Sequence, residues 1–468
     1  FLMAAVGSAV GLGNIWGFPN KMGANGGFPF LILYLALALC CGVIIMLGEL
    51  ALGRKTGHGA VGAYQSISKR FKWLGWLGIA AAALIFSFYS ALGGYCLRYV
   101  VVNFGNLIGA EFGTNGVGGA DVFQGLLSQP DVSIAFALAF MLITMLVVMS
   151  GVGGGIERVC SVGMPALFFI LIICIIRSCT LPGAADGLKY MFVPGWAVAN
   201  GIIDEAPGFW RVLTAAGGQM FFSLSLGAGV MITYGSYLDK KQDLGKSTMI
   251  IVGMDTVVAL MAGLCVIPGR FALDPNGALG GPELLFITMQ NVFDKMGPAG
   301  PVFGILFYLL VFFAAISSSI SMLEVIVAHF CDKAREKGKG DRRKLYSAIV
   351  VVICAALCAL VCADGMGSNH ISPAELLGLA GAKLPGWSTS WLGLFDSVAE
   401  GLLMPLGALL MCLMISWELK PDTLRQEILL NGENRPWVYD FFRLCVKYIT
   451  PLCMLMILYG QISDFFIV

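Results

Sequence analysis

Residues 7–14 read Gly7-Ser8-Ala9-Val10-Gly11-Leu12-Gly13-Asn14, a glycine-rich stretch inside the apolar segment 1–23. A second such stretch, residues 222–229 (FSLSLGAG), lies inside the apolar segment 208–237. Glycines at these spacings make a helix easy to unwind, which frees backbone carbonyls for a cation and points half-helix N-termini at an anion. Close packing through small residues would explain one such stretch equally well. Two of them, five apolar segments apart, favour a pair of discontinuous helices in inverted repeats of five helices.

The composition around these stretches requires a membrane. The chain has 468 residues, of which 58% are hydrophobic and 12% charged, with mean hydropathy +0.84. A soluble domain is roughly 45–50% apolar and about 25% charged, so a water-soluble enzyme is excluded. The net charge of +1 argues against a nucleic-acid partner. No metal cluster or nucleophile–base pair is visible among the 14 cysteines and three histidines, so we expect no enzyme.

Eleven apolar segments are long enough to cross the membrane, since a helix needs about 20 residues to span a ~30 Å hydrocarbon core. The predicted spans are 1–23, 28–53, 75–107, 132–150, 158–180, 208–237, 247–271, 302–331, 345–363, 392–417 and 438–465. The predicted fold class is an all-α polytopic membrane protein with 5+5 inverted repeats and discontinuous helices 1 and 6. The repeats are expected at 1–180 and 181–417, followed by a cytoplasmic loop and helix 11 at 418–468.

Basic residues cluster after spans 2, 6 and 8, so these loops fall on one side, which the positive-inside rule makes cytoplasmic. They are Arg54, Lys55, Lys69, Arg70, Lys72, Lys240, Lys241, Lys246, Lys333, Arg335, Lys337, Lys339, Arg342, Arg343 and Lys344. The last cluster is interpreted as an orientation signal rather than a lipid or partner site. The N-terminus is then cytoplasmic, with a native segment expected before Phe1, and the C-terminus is external. The external loops are 108–131, 181–207, 272–301 and 364–391, with short helices expected at Glu283–Lys295 and Pro373–Leu379.

Several polar groups fall inside the predicted spans. Hydroxyls in span 8 often bond to the preceding turn, but beside a broken helix Ser317 and Ser318 would suit a hard cation. Asp255 in span 7 costs several kcal/mol unless it is paired, which favours a functional role. Glu49 is expected to accept hydrogen bonds from unwound backbone. Glu324 is either a similar support or a solvated group in an inner vestibule.

These residues resemble the neurotransmitter:sodium symporter family. The resemblance rests on four stretches of the sequence. They are Ser8–Trp16 with Phe18-Pro19 and Asn25-Gly26-Gly27, then Gly48–Gly53, Gln219–Ser225 and Ala314–Ser319. The resemblance implies sodium-coupled uptake of an amino acid or amine by alternating access, and eleven spans fit the bacterial branch, in which the protein would lie in the inner (plasma) membrane.

The resemblance also implies two sodium sites. The first would use the Ala9 carbonyl, the side chains of Asn14, Ser223 and Asp255, and the carboxylate of the substrate. The second would use the carbonyls of Gly7, Val10 and Ala314 with the hydroxyls of Ser317 and Ser318.

For the substrate, the resemblance implies that Tyr89 and the backbone N–H groups near Leu12 and Gly13 bind its carboxylate. The carbonyls of Phe222 and Ser223, with Ser225 nearby, would hold its amine. The side-chain pocket would be lined by Ile85, Phe222, Ala228, Ser318 and Met322.

Gly11 distinguishes two substrate classes, because amine-carrying relatives place an aspartate at the matching position. A glycine there favours a substrate with its own carboxylate. Small Ala228 and flexible Met322 favour a large apolar or aromatic side chain: leucine, methionine, phenylalanine or tryptophan.

Two departures from the family pattern matter. Gly17 stands where the family usually has the arginine of the outer gate, and Lys21 is expected to replace it with Asp396 or Glu400 as partner. Asp255 stands where asparagine is usual, while Tyr34, Gln219 and Ser223 match the family's chloride-site residues and Ala259 supplies no carboxylate. We therefore expect transport without chloride. A proton-coupled carrier of an amino acid or amine and a non-transporting substrate sensor are the alternatives, and the oligomeric state stays open.

Overall fold

The computed structural model describes residues 2–340, 342–378, 386–420, 423–429 and 436–466. In this part of the chain nine uninterrupted helices are long and apolar enough to cross a membrane. They are Phe28–Thr56, Lys69–Ile108, Pro130–Met149, Glu157–Cys179, Leu244–Leu273, Gly297–Glu336, Arg343–Gly367, Trp391–Glu418 and Pro436–Ser463. Parts of three predicted segments lie outside the described residues. They are Phe1 of span 1, residues 379–385 of the external loop 364–391, and residues 421–422, 430–435 and 467–468 of the segment 418–468.

Two further apolar segments are interrupted helices. The first broken helix (2–24) consists of Leu2–Ala9, a wide turn at Gly13–Gly17 and Phe18–Ala24, with its interruption at 10–12. The second broken helix (209–235) consists of Phe209–Leu224 and Val230–Gly235. With these two, the described residues contain the eleven predicted spans, several of which begin earlier or end later than the apolar pattern alone indicated.

The second interruption has a backbone cause. Ser225, Gly227 and Gly229 have φ angles of 53°, 78° and 74°, in the left-handed region that an α-helix cannot contain. A Cβ at Gly227 would lie 2.2 Å from the carbonyl oxygen of Met404, so only glycine fits at that point.

The two broken helices lie at the centre of the molecule. The Lys69–Ile108 helix, which packs beside them, buries 78% of its most apolar window, whereas Pro130–Met149 and Glu157–Cys179 bury 33% each. The outer helices therefore present apolar side chains outward, as a protein surrounded by lipid must.

Short helices occupy the connections. They are Ala60–Ile67, Gly119–Leu127, Ala184–Phe192, Trp196–Ala199, Leu284–Thr288, Met289–Asp294, Pro373–Leu376 and Arg425–Ile428. The helices predicted at Glu283–Lys295 and Pro373–Leu379 are confirmed within the described residues, Leu379 lying outside them. The others were not predicted, because segments this short carry too few residues for a clear period.

The basic loops meet at one end of the molecule, here called the basic end. Arg54 Nε donates to Glu427 Oε2 at 2.8 Å, and the same guanidinium bonds the carbonyl of Gln242. The Gly59 N–H donates to Asp332 Oδ2 at 3.0 Å. Loops after spans 2, 6, 8 and 10 are thus joined at the same face.

Candidate ion and substrate site

The Asp255 carboxylate is the polar centre of the molecule and has no exposed surface. Asn14 Nδ2 donates to its Oδ1 at 2.7 Å, the Ser223 hydroxyl lies 2.9 Å from both oxygens, and the Tyr34 hydroxyl donates to Oδ2 at 3.2 Å. A buried carboxylate needs such donors, because burial without partners is costly. Four helices meet at this point, and three of the four predicted first-site residues (Asn14, Ser223 and Asp255) lie in direct contact.

The same centre holds the first interruption open. The Gly11 N–H donates to Asn14 Oδ1 at 2.9 Å, and Gln219 Nε2 donates to the Gly13 carbonyl at 2.6 Å. Backbone groups freed by the missing helical turn are therefore satisfied from other residues. The oxygen atoms of Asn14, Ser223 and Asp255 form a donor set of the kind that hard cations prefer.

A second cluster of oxygens lies between the first broken helix and the span Gly297–Glu336. The α-helical part of that span is Gly300–Glu336, called the Gly300–Glu336 helix below. Ser317 Oγ donates to the carbonyls of Val10 at 3.2 Å and Ala314 at 2.9 Å. Ser318 Oγ donates to the Ser8 carbonyl at 3.1 Å. Four of the five residues predicted for the second sodium site (Val10, Ala314, Ser317 and Ser318) thus lie together.

Gly7, the fifth, sits with its α-carbon against the neighbouring helix Glu157–Cys179, where a Cβ would lie 2.8 Å from Cys160 Sγ. Its carbonyl as an ion ligand stays a prediction. Ser8, which was not predicted as a site residue, contributes the carbonyl that Ser318 contacts. Its signal was its place beside Gly7 in the glycine-rich stretch.

Between the two clusters lies the predicted substrate position. The Leu12 N–H donates to the Tyr89 hydroxyl at 2.8 Å, which leaves the hydroxyl proton of Tyr89 available to a carboxylate. A Cβ at Gly11 would lie 1.9 Å from Ser318 Oγ and 2.8 Å from the Tyr89 hydroxyl. No side chain fits at position 11. At Gly13 a Cβ would lie 3.1 Å from the Phe222 ring, so this glycine also permits close approach of the two broken helices.

The predicted side-chain pocket brings three helices to the same region. Tyr89 and Phe222 form an edge-to-face pair with ring centroids 6.2 Å apart. Ile85 precedes Tyr89 by one helical turn, and Met322 follows Ser318 by one turn, so each pair shares a helix face. Ala228 packs against Gly78 in the helix that carries Ile85, where a Cβ would lie 3.0 Å from the Ala228 carbonyl.

All predicted site residues are buried. Phe222, at 7%, has the largest exposed fraction among the non-glycine members. The others are Ala9, Val10, Leu12, Asn14, Ile85, Tyr89, Ser223, Ser225, Ala228, Asp255, Ala314, Ser317, Ser318 and Met322, with Gly7, Gly11 and Gly13. In this conformation the site is closed to solvent from both ends.

Two buried glutamates support the surroundings of the site. Glu49 Oε1 accepts the Gly227 N–H at 2.6 Å, which confirms its predicted role as an acceptor for unwound backbone. Glu324 is 1% exposed, accepts the Tyr237 hydroxyl at 2.7 Å and pairs with Arg343. Because Glu324 is buried, the prediction of a solvated group is wrong; its partners here are two side chains, whereas the other prediction was unwound backbone.

At the opposite end from the basic loops, Lys21 Nζ pairs with Glu400 Oε1. Of the two predicted partners, the structure selects Glu400. Asp396 lines the same cavity, of about 300 Å³. A Cβ at Gly17 would lie 2.9 Å from Gln219 Oε1, and a Cβ at Gly218 would lie 2.7 Å from Glu400 Oε1. Gly17 therefore lets Gln219 of the second broken helix approach the first broken helix, and Gly218 lets Glu400 approach the second.

Two interrupted helices whose freed backbone groups meet a buried carboxylate and hydroxyls define a secondary transporter with discontinuous helices. The family model described as "Sodium:neurotransmitter symporter family" matches residues 1–115 and 120–466. The chain belongs to the sodium:neurotransmitter symporter family and is a sodium-dependent, multi-pass membrane transporter.

Individual relatives agree. The sodium-dependent transporter YhdH of Bacillus subtilis (strain 168) is 36% identical over 99% of this chain and 96% of its own length. A sodium-dependent nutrient amino acid transporter 1 of Drosophila grimshawi is 27% identical over 77% of this chain and 63% of its own. The crystal structure of MhsT in complex with L-phenylalanine matches with TM-score 0.83 and 33% identity, covering 98% of both chains. The predicted fold class is thereby confirmed, while the repeat boundaries at 180 and 417 stay predictions.

Proposed function

We propose that this protein is a sodium-coupled symporter that imports large neutral L-amino acids by alternating access. The observation that carries the proposal is Gly11. A side chain is excluded there by Ser318 and Tyr89, so the site has no fixed carboxylate to pair with a simple amine. A substrate that brings its own carboxylate meets the Tyr89 hydroxyl and the adjacent backbone N–H groups.

Coupling follows from shared oxygens. The first sodium ion is held by the Ala9 carbonyl, Asn14, Ser223 and Asp255, and the substrate carboxylate completes its shell. Each ligand then binds best with the other present, which is a coupling free energy between sites. A second sodium ion at Val10, Ala314, Ser317 and Ser318, with Gly7, ties the first broken helix to the Gly300–Glu336 helix. A cation moving inward gains about 2.3 kcal/mol per charge per 100 mV.

The preference for large side chains rests on the residues below the Tyr89–Phe222 pair. Ala228 is small where a bulky residue would restrict the pocket, and Met322 adapts its shape to different apolar groups. The MhsT structure, which holds L-phenylalanine, supports the same substrate class.

Chloride independence rests on Asp255. Tyr34 and Ser223, which match the family's chloride-site residues, donate to this carboxylate instead. A fixed negative charge therefore stands beside the first sodium site without an added anion.

The direction of transport follows from the basic end, which we place on the cytoplasmic side of a bacterial inner membrane by the positive-inside rule. The Lys21–Glu400 pair then lies on the external side as the outer gate. The Glu324–Arg343 pair with Tyr237 lies on the cytoplasmic side.

Uptake into proteoliposomes tests the proposal. Radiolabelled leucine, methionine, phenylalanine and tryptophan should accumulate when external sodium is present, and glycine and alanine should compete poorly. Replacing chloride with gluconate should leave the rate unchanged. Better competition by glycine than by phenylalanine would refute the substrate class, and full loss in gluconate would refute chloride independence.

The alternatives have their own signatures in the same assay. Uptake driven by a proton gradient without sodium would indicate a proton-coupled carrier. Sodium-dependent binding without uptake would indicate a substrate sensor.

A further inference from the structure

The basic end contains a pocket that the transport site does not use. Its volume is about 230 Å³. It lies between the short helix Ala60–Ile67, the last turns of the Gly300–Glu336 helix and the start of Lys72–Ile108, which is the α-helical part of the span Lys69–Ile108. Its polar and aromatic lining includes Gln65, Lys72, Trp76, His329, Lys333 and Lys337. The basic clusters that follow spans 2 and 8 in the sequence thus share one pocket.

The charges of this pocket are unbalanced. Within the described parts of the chain, Lys72, Lys333 and Lys337 form no ion pair. Two carboxylates also line the pocket. One of them, Asp332, accepts the Gly59 N–H at 3.0 Å and lies 3.8 Å from Arg335, so it is already engaged. The pocket lining thus has three lysines and two carboxylates, an excess of one positive charge.

His329 adds a buried polar group. The residue is 8% exposed, and its Nε2 atom has no hydrogen-bond partner among the described residues. Its ring packs edge-on against Trp76, with centroids 4.9 Å apart. Buried polar atoms are nearly always satisfied, so this unpartnered nitrogen is open to a ligand. In the tautomer with its proton on Nε2, His329 would donate to an acceptor oxygen.

The pocket lies at the level of the membrane surface. Trp73 and Trp76 are 47% and 42% exposed at the beginning of the Lys72–Ile108 helix. Exposed tryptophans at a helix end are typical of the interface between headgroups and water. A ligand in this pocket therefore meets the lipid headgroup region.

We propose that this pocket binds the phosphate headgroup of an anionic phospholipid in the leaflet at the basic end. Lysines near a membrane surface attract anionic lipid, and basic pockets between membrane helices select their headgroups. The basic loops orient the chain through charge alone, whereas a pocket with an unpartnered histidine is not required for orientation. The inference depends on membrane placement and is independent of the transported substrate.

The test compares two variants with the same loss of charge. Lys72→Gln with Lys333→Gln removes two pocket cations, and Lys240→Gln with Lys241→Gln removes two exposed cations elsewhere at the basic end. Native mass spectrometry of the purified protein titrated with phosphatidylglycerol counts bound lipid, and phosphatidylcholine is the neutral comparison. The melting temperature of each variant in detergent verifies that it is folded.

We expect the pocket variant to bind phosphatidylglycerol about thirtyfold more weakly than the native protein, the equivalent of ~1 kcal/mol per lysine. The control variant should change by less than about twofold, because its lysines contribute only a screened surface field. Equal losses in the two variants, or equal binding of both lipids by the native protein, would overturn the proposal.

Soluble anions separate the two sources of phosphate. Inorganic phosphate and glycerol 3-phosphate should displace the lipid only at concentrations far above that of the lipid itself. If either binds as tightly as phosphatidylglycerol, the ligand is a soluble phosphate and the lipid assignment is wrong.

Discussion

The two interruptions occupy equivalent places in a repeated architecture but are maintained by different physical means. The first (10–12) contains no residue with a left-handed φ and is held open by side chains: Asn14 of the same broken helix bonds Gly11, while Gln219, Tyr89 and Ser317 from other helices bond Gly13, Leu12 and Val10. The second (225–229) is set by three left-handed residues and one carboxylate, Glu49. The first interruption is thus a product of tertiary contacts, and the second is written into the local backbone.

The largest effect is expected where the second interruption needs glycine. Gly227→Ala forces a Cβ into the Met404 carbonyl at a φ of 78°, so we expect a loss of roughly 2–6 kcal/mol of stability from strain and overpacking. Thermal unfolding in detergent measures it. Gly253→Ala is the matched control, because nothing lies within 4 Å of a Cβ there and it sits inside a regular helix. Equal melting temperatures for the two variants would contradict the backbone account.

At the first interruption the comparable change should cost less stability, because a Cβ there meets side-chain atoms of Ser318 and Tyr89 rather than a backbone carbonyl, and it should remove function. Gly11→Ala places a methyl group 1.9 Å from Ser318 Oγ, where the substrate carboxylate would bind. We expect transport to fall roughly a hundredfold or more, in line with misplacement at a site that requires close geometry. Equilibrium binding of labelled phenylalanine, measured beside the melting temperature, separates the two effects. Normal binding in this variant would refute the assigned substrate position.

Two substitutions of Asp255 should weaken the contacts that hold the first interruption open, one more strongly than the other. Asp255→Ala leaves the donors of Asn14, Ser223 and Tyr34 without their acceptor, and we expect a loss of roughly tenfold to a hundredfold in sodium affinity, since each unmet buried group costs about 1–3 kcal/mol. Asp255→Asn keeps an acceptor oxygen and should lose less, with part of the loss recovered by added chloride. Sodium titrations of uptake in chloride and in gluconate decide this. A chloride-insensitive asparagine variant would argue against a charge role for Asp255.

The hydrogen bond from the Gly227 N–H to Glu49, which stabilises the second interruption, can be tested with a conservative and a non-conservative substitution. Glu49→Gln retains an oxygen for the Gly227 N–H and should be nearly as stable as the native protein. Glu49→Ala leaves that N–H unpaired and should lose about 1–3 kcal/mol. Unfolding midpoints of the two variants provide the comparison. Identical midpoints would mean that the Glu49 contact adds nothing to the left-handed backbone.

The smallest effect is expected outside both interruptions, at the Lys21–Glu400 pair. Lys21→Gln should change the apparent substrate affinity about twofold to fivefold, because a partly exposed ion pair contributes only ~1 kcal/mol. The exchanged pair Lys21→Glu with Glu400→Lys should recover part of that change, as measured by uptake kinetics. Additive losses in the exchanged variant would show that the two residues act separately.

The same contrast explains what the sequence could predict. Glycine spacing located both interruptions, because the cost of unwinding is local. The bounds of the second interruption were less accessible from the sequence, since Ser225 has a left-handed φ of 53°, which non-glycine residues rarely adopt and which glycine spacing does not indicate. Ser8 was missed beside Gly7 because the choice between neighbouring carbonyls depends on where the Gly300–Glu336 helix lies.

For the ion pair between Lys21 and a neighbouring helix, the sequence predicted two alternative partners and could not choose between them. Asp396 and Glu400 lie one turn apart, and both face the cavity that contains Lys21. The sequence therefore named both, and the packing of Gly218 against Glu400 distinguishes them. Asp255 was identified from its charge alone, because a carboxylate inside an apolar span requires partners.

In the transport cycle proposed above, with two sodium ions and a zwitterionic substrate, Asp255 would also set the charge carried in each step. With an ionised aspartate, the empty site has charge −1, and two sodium ions with a zwitterionic amino acid bring it to +1. A membrane potential that is negative inside then favours inward movement of the loaded form and outward return of the empty form, each by about 2.3 kcal/mol per 100 mV for a full crossing. A neutral residue at this position would leave all of the electrical work to the loaded step. In the proposed cycle, this one buried side chain would divide the voltage dependence between the loaded step and the empty step.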